Sequence, residues 1–278
     1  MAARSWRLGL LLWGSAACAF FSCVTHAREF EVRLLNGTEQ NGTWGTKEFQ
    51  VNVSSLGVVR HVKVCDKEVI WQAVALYTSP VPPGGAEGVR TVQGEGMGER
   101  GLSVEPPRMV TRDENGSRIF EYEILVANKK VLDGKPLCKI LQKLRITPNG
   151  EIHVFYDCEW LQTLRWDGFG LLMIFNEEQC NGRDYLVMTS DQIKAGKLDP
   201  GPAAERQIRS LRITQLTVRP EMGSCHFVWD AEAQCSFYWG GKQAQLHVDP
   251  PCVPYRGSIY QGQRDKLAFR ILLPVSQQ

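Results

Sequence analysis

The stretch CKILQKLRITPNGEIHVFYDCEW, residues 138–160, reads as two β-strands folded back on each other. Apolar and polar residues alternate on both sides of Pro148-Asn149-Gly150, and a period of two belongs to a half-buried strand. Proline suits the first corner of a type I turn, and glycine suits the left-handed position of a three-residue hairpin loop closed by a bulge. That loop pairs Thr147 with Glu151, Ile146 with Ile152 and Leu144 with Val154. One face then gathers Ile140, Leu144, Ile146, Ile152, Val154, Tyr156 and Cys158 as core. A two-residue loop would set Ile146 against His153 and scatter the apolar set, because one slip turns every side chain over.

The reverse face of this hairpin holds Lys143, Arg145, His153, Phe155, Asp157 and Glu159, with Arg145 opposite His153 and Lys143 opposite Phe155. These six residues form the candidate ligand-binding set. Planar guanidinium and carboxylate groups suit bidentate hydrogen bonds to neighbouring sugar hydroxyls, and an aromatic ring offers an apolar surface to the C–H face of a sugar. Trp160, Trp166, Trp229, Tyr238 and Trp239 are further aromatic candidates. The plainer alternative is a charge-balanced, solvated side of an antiparallel sheet.

The pattern extends in both directions. Phe30, Val32 and Leu34 alternate with charged residues up to Asn36-Gly37, and strands are expected at about 48–54, 58–65 and 68–77. From 102 onward, strands are expected at 102–111, 118–127, 138–147, 151–160, 170–176, 184–190, 210–220, 225–230, 235–240, 244–249 and 266–274. Turn dipeptides separate most of them, among them Asn115-Gly116, Asn181-Gly182, Gly240-Gly241 and Pro250-Pro251. One short helical candidate lies at Ala203–Arg209. Around fifteen strands with almost no helical periodicity predict an all-β fold, a large antiparallel β-sandwich with very little helix. The Gly/Pro-rich run from Pro80 to Gly101 is the longest expected structureless stretch and the only candidate boundary within residues 28–278, which otherwise read as one domain.

The N-terminal segment predicts the compartment. Arg4 and Arg7 precede an uncharged apolar run, Leu8–Val24, and Thr25-His26-Ala27 supplies small residues for cleavage. Residues 1–27 are therefore expected to be a secretory signal peptide, with secreted, periplasmic or cell-surface localisation. Ala17-Cys18-Ala19 offers a second cleavage point, and an uncleaved anchor is the alternative. No later segment reaches the apolar length of a membrane span. Net charge is +2, from 32 basic and 30 acidic residues that are interspersed, so no basic stripe points to nucleic acid.

Seven cysteines follow residue 27: Cys65, Cys138, Cys158, Cys180, Cys225, Cys235 and Cys252. Export permits disulfides, yet Cys158 and Cys225 alternate in phase with apolar neighbours, which is how small core hydrophobes sit. Asn-x-Ser/Thr sequons stand at Asn36, Asn41, Asn52 and Asn115, and are glycan acceptors only in a eukaryotic secretory setting. No CxxC, no Cys/His zinc spacing, no nucleophile elbow and no phosphate-cradling loop occurs, and no cofactor is expected. His61, His153, His226 and His247 lie in strand-like sequence, where a surface role is the ordinary one. Of these, His153 with a carboxylate is the acid–base candidate. Glu95 and Glu99 are a carboxylate pair within the glycine-rich run.

Asn149-Gly150-Glu151-Ile152-His153-Val154, followed by Trp166-Asp167-Gly168-Phe169-Gly170-Leu171-Leu172-Met173 and a closing strand at Lys266–Pro274, resembles the galactose-mutarotase-like β-supersandwich domains of secreted proteins. The resemblance spans about residues 100–275 and implies a supersandwich fold and a carbohydrate-related role. Catalytic members act on the sugar through a histidine pair and a glutamate. Those motifs cannot be placed on this sequence, and no catalytic residue is carried over. The expectation is thus an exported, non-catalytic carbohydrate-binding protein, with a glycan or polysaccharide as partner. The alternatives are a mutarotase or polysaccharide-processing enzyme on the same fold, and a cell-surface protein-interaction domain.

Overall fold

The computed structural model describes residues 31–78, 90–92, 102–103, 107–127, 135–163, 168–198, 208–240, 243–249 and 259–275. The expected signal segment, Glu95, Glu99, Trp166, Cys252 and Ala203 lie outside them. Among the described residues, eighteen strands and one short helix occur in the order β1 (Arg33–Gly37), β2 (Gly42–Gly45), β3 (Phe49–Val53), β4 (Val59–Val64), β5 (Lys67–Thr78), β6 (Arg90–Val92), β7 (Leu102–Ser103), β8 (Arg108–Glu114) and β9 (Ser117–Ala127). There follow β10 (Pro136–Ile146), β11 (Glu151–Trp160), β12 (Gly168–Phe175), α1 (Glu177–Cys180), β13 (Asp184–Met188), β14 (Ile193–Lys197), β15 (Ile208–Val218), β16 (Cys225–Gly240), β17 (Gln243–Asp249) and β18 (Arg264–Leu272). Every pair of described strands is antiparallel, so the fold is the expected all-β sandwich.

The ladder divides into two sheets. The first runs β8–β9–β10–β11–β18 and continues into the N-terminal part of β16, the C-terminal part of β15, β13 and β14. The second runs β1–β2–β3–β4–β5–β12–β17 and ends on the C-terminal part of β16 and the N-terminal part of β15. β15 and β16 therefore belong to both sheets, and their register shifts between Ile213 and Gln215, where β16 carries the surplus residues.

The inner faces share one apolar core, in which Val51, Val62 and Met173 of the second sheet meet Leu144, Val154 and Phe269 of the first. Trp44 on β2 packs edge-on against Phe120 on β9, ring centroids 5.3 Å apart. Polar groups also tie the layers together. Buried Gln142 donates from Nε2 to the Gly57 carbonyl at 2.6 Å, and the Tyr122 hydroxyl donates to the Ser54 carbonyl at 3.3 Å. Gly57 has φ +74°, and an added Cβ would stand 2.3 Å from the Gln142 amide oxygen, so only glycine fits there.

The decisive hairpin has the expected register. Ile146 pairs with Ile152, Leu144 with Val154, Arg145 with His153 and Lys143 with Phe155. The Thr147 N–H donates to the Glu151 carbonyl, the Gly150 N–H donates to the Thr147 carbonyl, and Gly150 stands at φ +78°. Glu114-Asn115-Gly116-Ser117, by contrast, forms a two-residue hairpin turn, with both central residues left-handed.

Several expectations need correcting. β1 is exposed throughout, and Leu34 faces solvent because it lies on an edge strand that bulges at Leu34/Asn36. The segments 225–230 and 235–240 form one strand, and 102–111 is divided between β7 and β8. β6 lies inside the run expected to be structureless and pairs with β5. The helix lies at Glu177–Cys180, while Ile208 and Arg209 are strand. Its start is capped by Asn176, whose Oδ1 accepts the Gln179 N–H at 3.1 Å.

Cysteine behaves as a core residue at five positions. Cys138, Cys158, Cys180, Cys225 and Cys235 are buried, and Cys65 is exposed. Burial pushes the Cys180 thiol up to about 12 and raises those of Cys158 and Cys225. Alkylation of the native protein at pH 8, followed by peptide mapping, is expected to modify Cys65 and to spare Cys138, Cys158, Cys180 and Cys225 until the chain is unfolded, since the thiolate is the reactive form.

The turn glycines supply a stability test. A Cβ on Gly150 would meet Val275 at 2.8 Å, whereas one on Gly182, at φ +72°, meets nothing within 4 Å. Both alanine variants incur the left-handed backbone penalty, about 1–2 kcal/mol. Gly150→Ala is expected to lower the unfolding free energy in urea by more than Gly182→Ala, because only it adds the clash.

Candidate functional site

β10 and β11 present their outer face away from the core. Strict alternation places the six selected side chains there, with β9 on one flank and β18 on the other. The lateral rows are Glu121–Lys143–Phe155–Ala268 and Ile119–Arg145–His153–Arg270. The structure thus brings the set onto one surface, as its spacing required.

That surface is a lattice of ion pairs. Lys143 reaches Glu121 at 3.6 Å, Arg145 reaches Glu114 at 3.7 Å, and His153 Nε2 lies 3.0 Å from Glu151 Oε2. His153 and Asp157 do not meet. Asp157 instead accepts two hydrogen bonds from Arg264, at 3.0 and 2.9 Å, and lies 3.6 Å from Lys266. These neighbours leave its side chain 9% exposed although it sits on the outer face. Its carboxylate holds β18 to β11 and is covered, so it is withdrawn from the ligand-facing set. Glu159 pairs with Arg264 across the same two strands and helps hold that guanidinium charged.

Phe155 differs from its surroundings. It is 38% exposed, a large apolar ring between Lys143 and Ala268 with no core to enter. Leu141 and Val110 are exposed on the same face. The two other aromatic candidates whose side chains are described do not join it. Trp160 is fully buried and donates its indole N–H to Asp265 Oδ2 at 2.7 Å, and Trp229 is buried on β16. Tyr238 and Trp239 stand on β16, and their side chains lie outside the described residues.

The opposite outer face, on the second sheet, carries a row that sequence reading passed over. Gln72, Ile174 and Gln245 are lateral neighbours on β5, β12 and β17, and Leu172, His247 and Ser236 form the adjacent row. Gln72 is buried, and Gln245, His247 and Ser236 are half-buried beside Leu172, Ile174 and Val58. Neutral donors and acceptors on an apolar floor are a common lining for small polar ligands. The visible signal was the unbroken apolar run Leu171–Phe175, which marks a strand covered on both sides. His226 is half-buried and shares a hydrogen bond with Thr217 Oγ1 at 2.9 Å, while exposed His61 faces Glu68 at 2.8 Å. Among the described residues, no group of three metal-ligating side chains occurs.

No family model matches the chain, and no curated protein matches it. Solved structures do. One similar structure is a galactose mutarotase-like protein from Clostridium acetobutylicum, 8% identical, with TM-score 0.48, covering 88% of this chain and 98% of that one. Another is an aldose epimerase homologue from C. elegans, 11% identical, with TM-score 0.44, covering 87% and 98%. A third is a galactose 1-epimerase from Lactobacillus acidophilus, 6% identical, with TM-score 0.44, covering 87% and 97%. The expected mutarotase-like resemblance is present as a likeness of fold, and it transfers no residue role.

The ion-pair lattice has a pH signature. The Arg112 guanidinium, which donates to Glu121 at 2.8 Å, holds the Glu121 carboxyl below its ordinary range, with Lys143 adding to the effect. A carboxyl whose folded pKa is depressed stabilises the fold fully above its unfolded value, and that contribution fades as pH falls through the folded value. Stability measured by urea denaturation is expected to fall with acidification from about pH 4.5 downward, and Glu121→Gln is expected to flatten part of that slope.

Proposed function

We propose that this is an exported, non-catalytic carbohydrate-binding β-sandwich that holds a glycan on the outer face of β10 and β11. The observation that carries the reading is the exposed Phe155 ring set in a field of fixed hydrogen-bonding charges. A sugar has one face of C–H groups and a rim of hydroxyls, and this surface offers an apolar plate with Lys143, Arg145 and His153 beside it and Glu159 further along β11. The ion pairs hold these side chains in place before a ligand arrives, which reduces the ordering cost of binding. Export rests on the Leu8–Val24 segment behind Arg4 and Arg7. The non-catalytic reading is supported by the Asp157 carboxylate, which Arg264 and Lys266 close off from a ligand.

The test is a glycan array with the full chain, followed by affinity measurement on any saccharide retained. Phe155→Ala is expected to weaken binding at least tenfold while leaving the thermal midpoint nearly unchanged. If no saccharide class is retained, the reading fails. A second location on the same protein is favoured by the half-buried Gln245 and His247 over Leu172 and Ile174. Affinity that survives Phe155→Ala and disappears in His247→Ala would move the sugar to that sheet.

A further inference from the structure

The fold gathers three of the four sequons at one corner. Asn36 is the last residue but one of β1 and Asn41 lies in the turn before β2, while Asn115, far along the chain, tips the β8–β9 hairpin. The Val32 N–H donates to the Gly116 carbonyl at 2.9 Å, placing the two segments side by side. Arg118 fastens them. Its guanidinium stacks 4.4 Å from the Trp44 ring centroid, hydrogen-bonds Asp113 on β8 at 3.0 and 3.1 Å, and also binds Glu39 of the β1–β2 turn. With an 8% exposed side chain, Arg118 is a buried clamp between the Asp113 carboxylate on β8, the Glu39 carboxylate of the β1–β2 turn and an indole.

The same corner contains the outer edge of β1, with the β8–β9 tip set against its entry by the Val32–Gly116 hydrogen bond. Among the described strands β1 pairs with β2 alone, all five of its residues are exposed, and Leu34 and Leu35 stand 37% and 45% exposed. An exposed edge with apolar side chains is a template for pairing with another chain and is ordinarily covered or charged. Asn36, Asn41 and Asn115 are all exposed around it, and each is the acceptor of its sequon. Asn52 differs. It lies mid-strand on β3 between Thr43 and Arg60, is half-buried, and donates its side-chain amide to Thr43 Oγ1 at 3.3 Å.

We infer that Asn36, Asn41 and Asn115 carry N-linked oligosaccharides that sheathe the outer edge of β1, and that Asn52 is left bare. The reaction is redox-neutral. The side-chain amide nitrogen forms a bond to C1 of an oligosaccharide carried on a polyprenyl diphosphate, the C1–O–phosphate bond breaks, and the diphosphate leaves as the amide loses one proton. The hydrophilic sugars then occupy the space a pairing strand would need. This inference rests on the export reading, since the donor is found only along a secretory route.

The full chain is produced in cultured eukaryotic cells, both with its own first 27 residues and with an unrelated secretion leader ahead of residue 28. Glycopeptide mass spectrometry is expected to find sugar at Asn36, Asn41 and Asn115 and unmodified Asn52 in the leader-driven protein. Glycans on that protein, with none when its own N-terminus is used, would uphold the sheath and sink the export reading. Secreted protein bare at Asn36 and Asn41, or modified at Asn52 in their place, would overturn the assignment. Enzymatic removal of the sugars from the folded protein is expected to raise self-association in light scattering. Leu34→Lys with Leu35→Lys should suppress that rise, and a deglycosylated protein that stays monomeric would overturn the sheathing role.

Discussion

Two sheets that share a continuous hydrogen-bonded ladder need strands that belong to both, and β15 and β16 meet that need. β16 lies beside β18 in its first half and beside β17 in its second. To pass from one layer to the other it must bend, and it does so around Trp229–Glu232, where its residues outnumber those of β15 opposite. A bulge adds twist and turns the strand while keeping the ladder on either side. Phe227 before the bend and Cys235 after it both remain in the common core, and Asp230 and Ala231 project to solvent between them. Without that transfer the sheets would have an open joint and two more free edges.

The shared core fixes the phase of every strand that lines it, and phase then determines what the surface displays. Along β10 and β11 the inner residues are taken by packing, so the outer residues have only one another, β9 and β18 to contact. Lys143 faces Glu121 and Asp157 faces Lys266 across those strands, and these pairs satisfy one another before any ligand is present. Such pairs are individually worth little in water. What they contribute is position: Lys143, Arg145 and His153 each stand at a set distance from a partner, and Phe155 is left as the apolar exception among them.

Local signals made much of this legible in the residues. Pro148-Asn149-Gly150 specified a loop length, the loop length specified a register, and the register placed seven side chains in the core and six outside. Where two strands and one turn settle a question, sequence sufficed. Asp157 could not be read that way, because its burial comes from Arg264 and Lys266, more than a hundred residues away. Trp160 and Trp229 resembled ligand platforms by type, yet alternation alone cannot say which large ring the interior will absorb. β2 escaped notice because Gly42-Thr43-Trp44-Gly45 has turn-like composition, and only its pairing with β1 and β3 makes it a strand. The break expected between 230 and 235 was a true signal wrongly named: it marked the bend in β16 and not the end of a strand.

The two outer faces of the sandwich differ in a way that bears on ligand choice. The first sheet shows formal charges that already have counter-charges, so a ligand there must either displace an ion pair or lie over it using the ring and the unused lone pairs and protons. The second shows amides, an imidazole and a hydroxyl over Leu172 and Ile174, sheltered enough that each new hydrogen bond forms with less competition from water. A neutral sugar gains little from net charge and much from oriented dipoles. An anionic saccharide gains from Lys143, Arg145 and Arg270, which lie within two adjacent rows. If the first face is the binding site, its ligand is therefore better matched by an acidic glycan than by a neutral one, and affinity there should weaken with added salt, because exposed charges are screened.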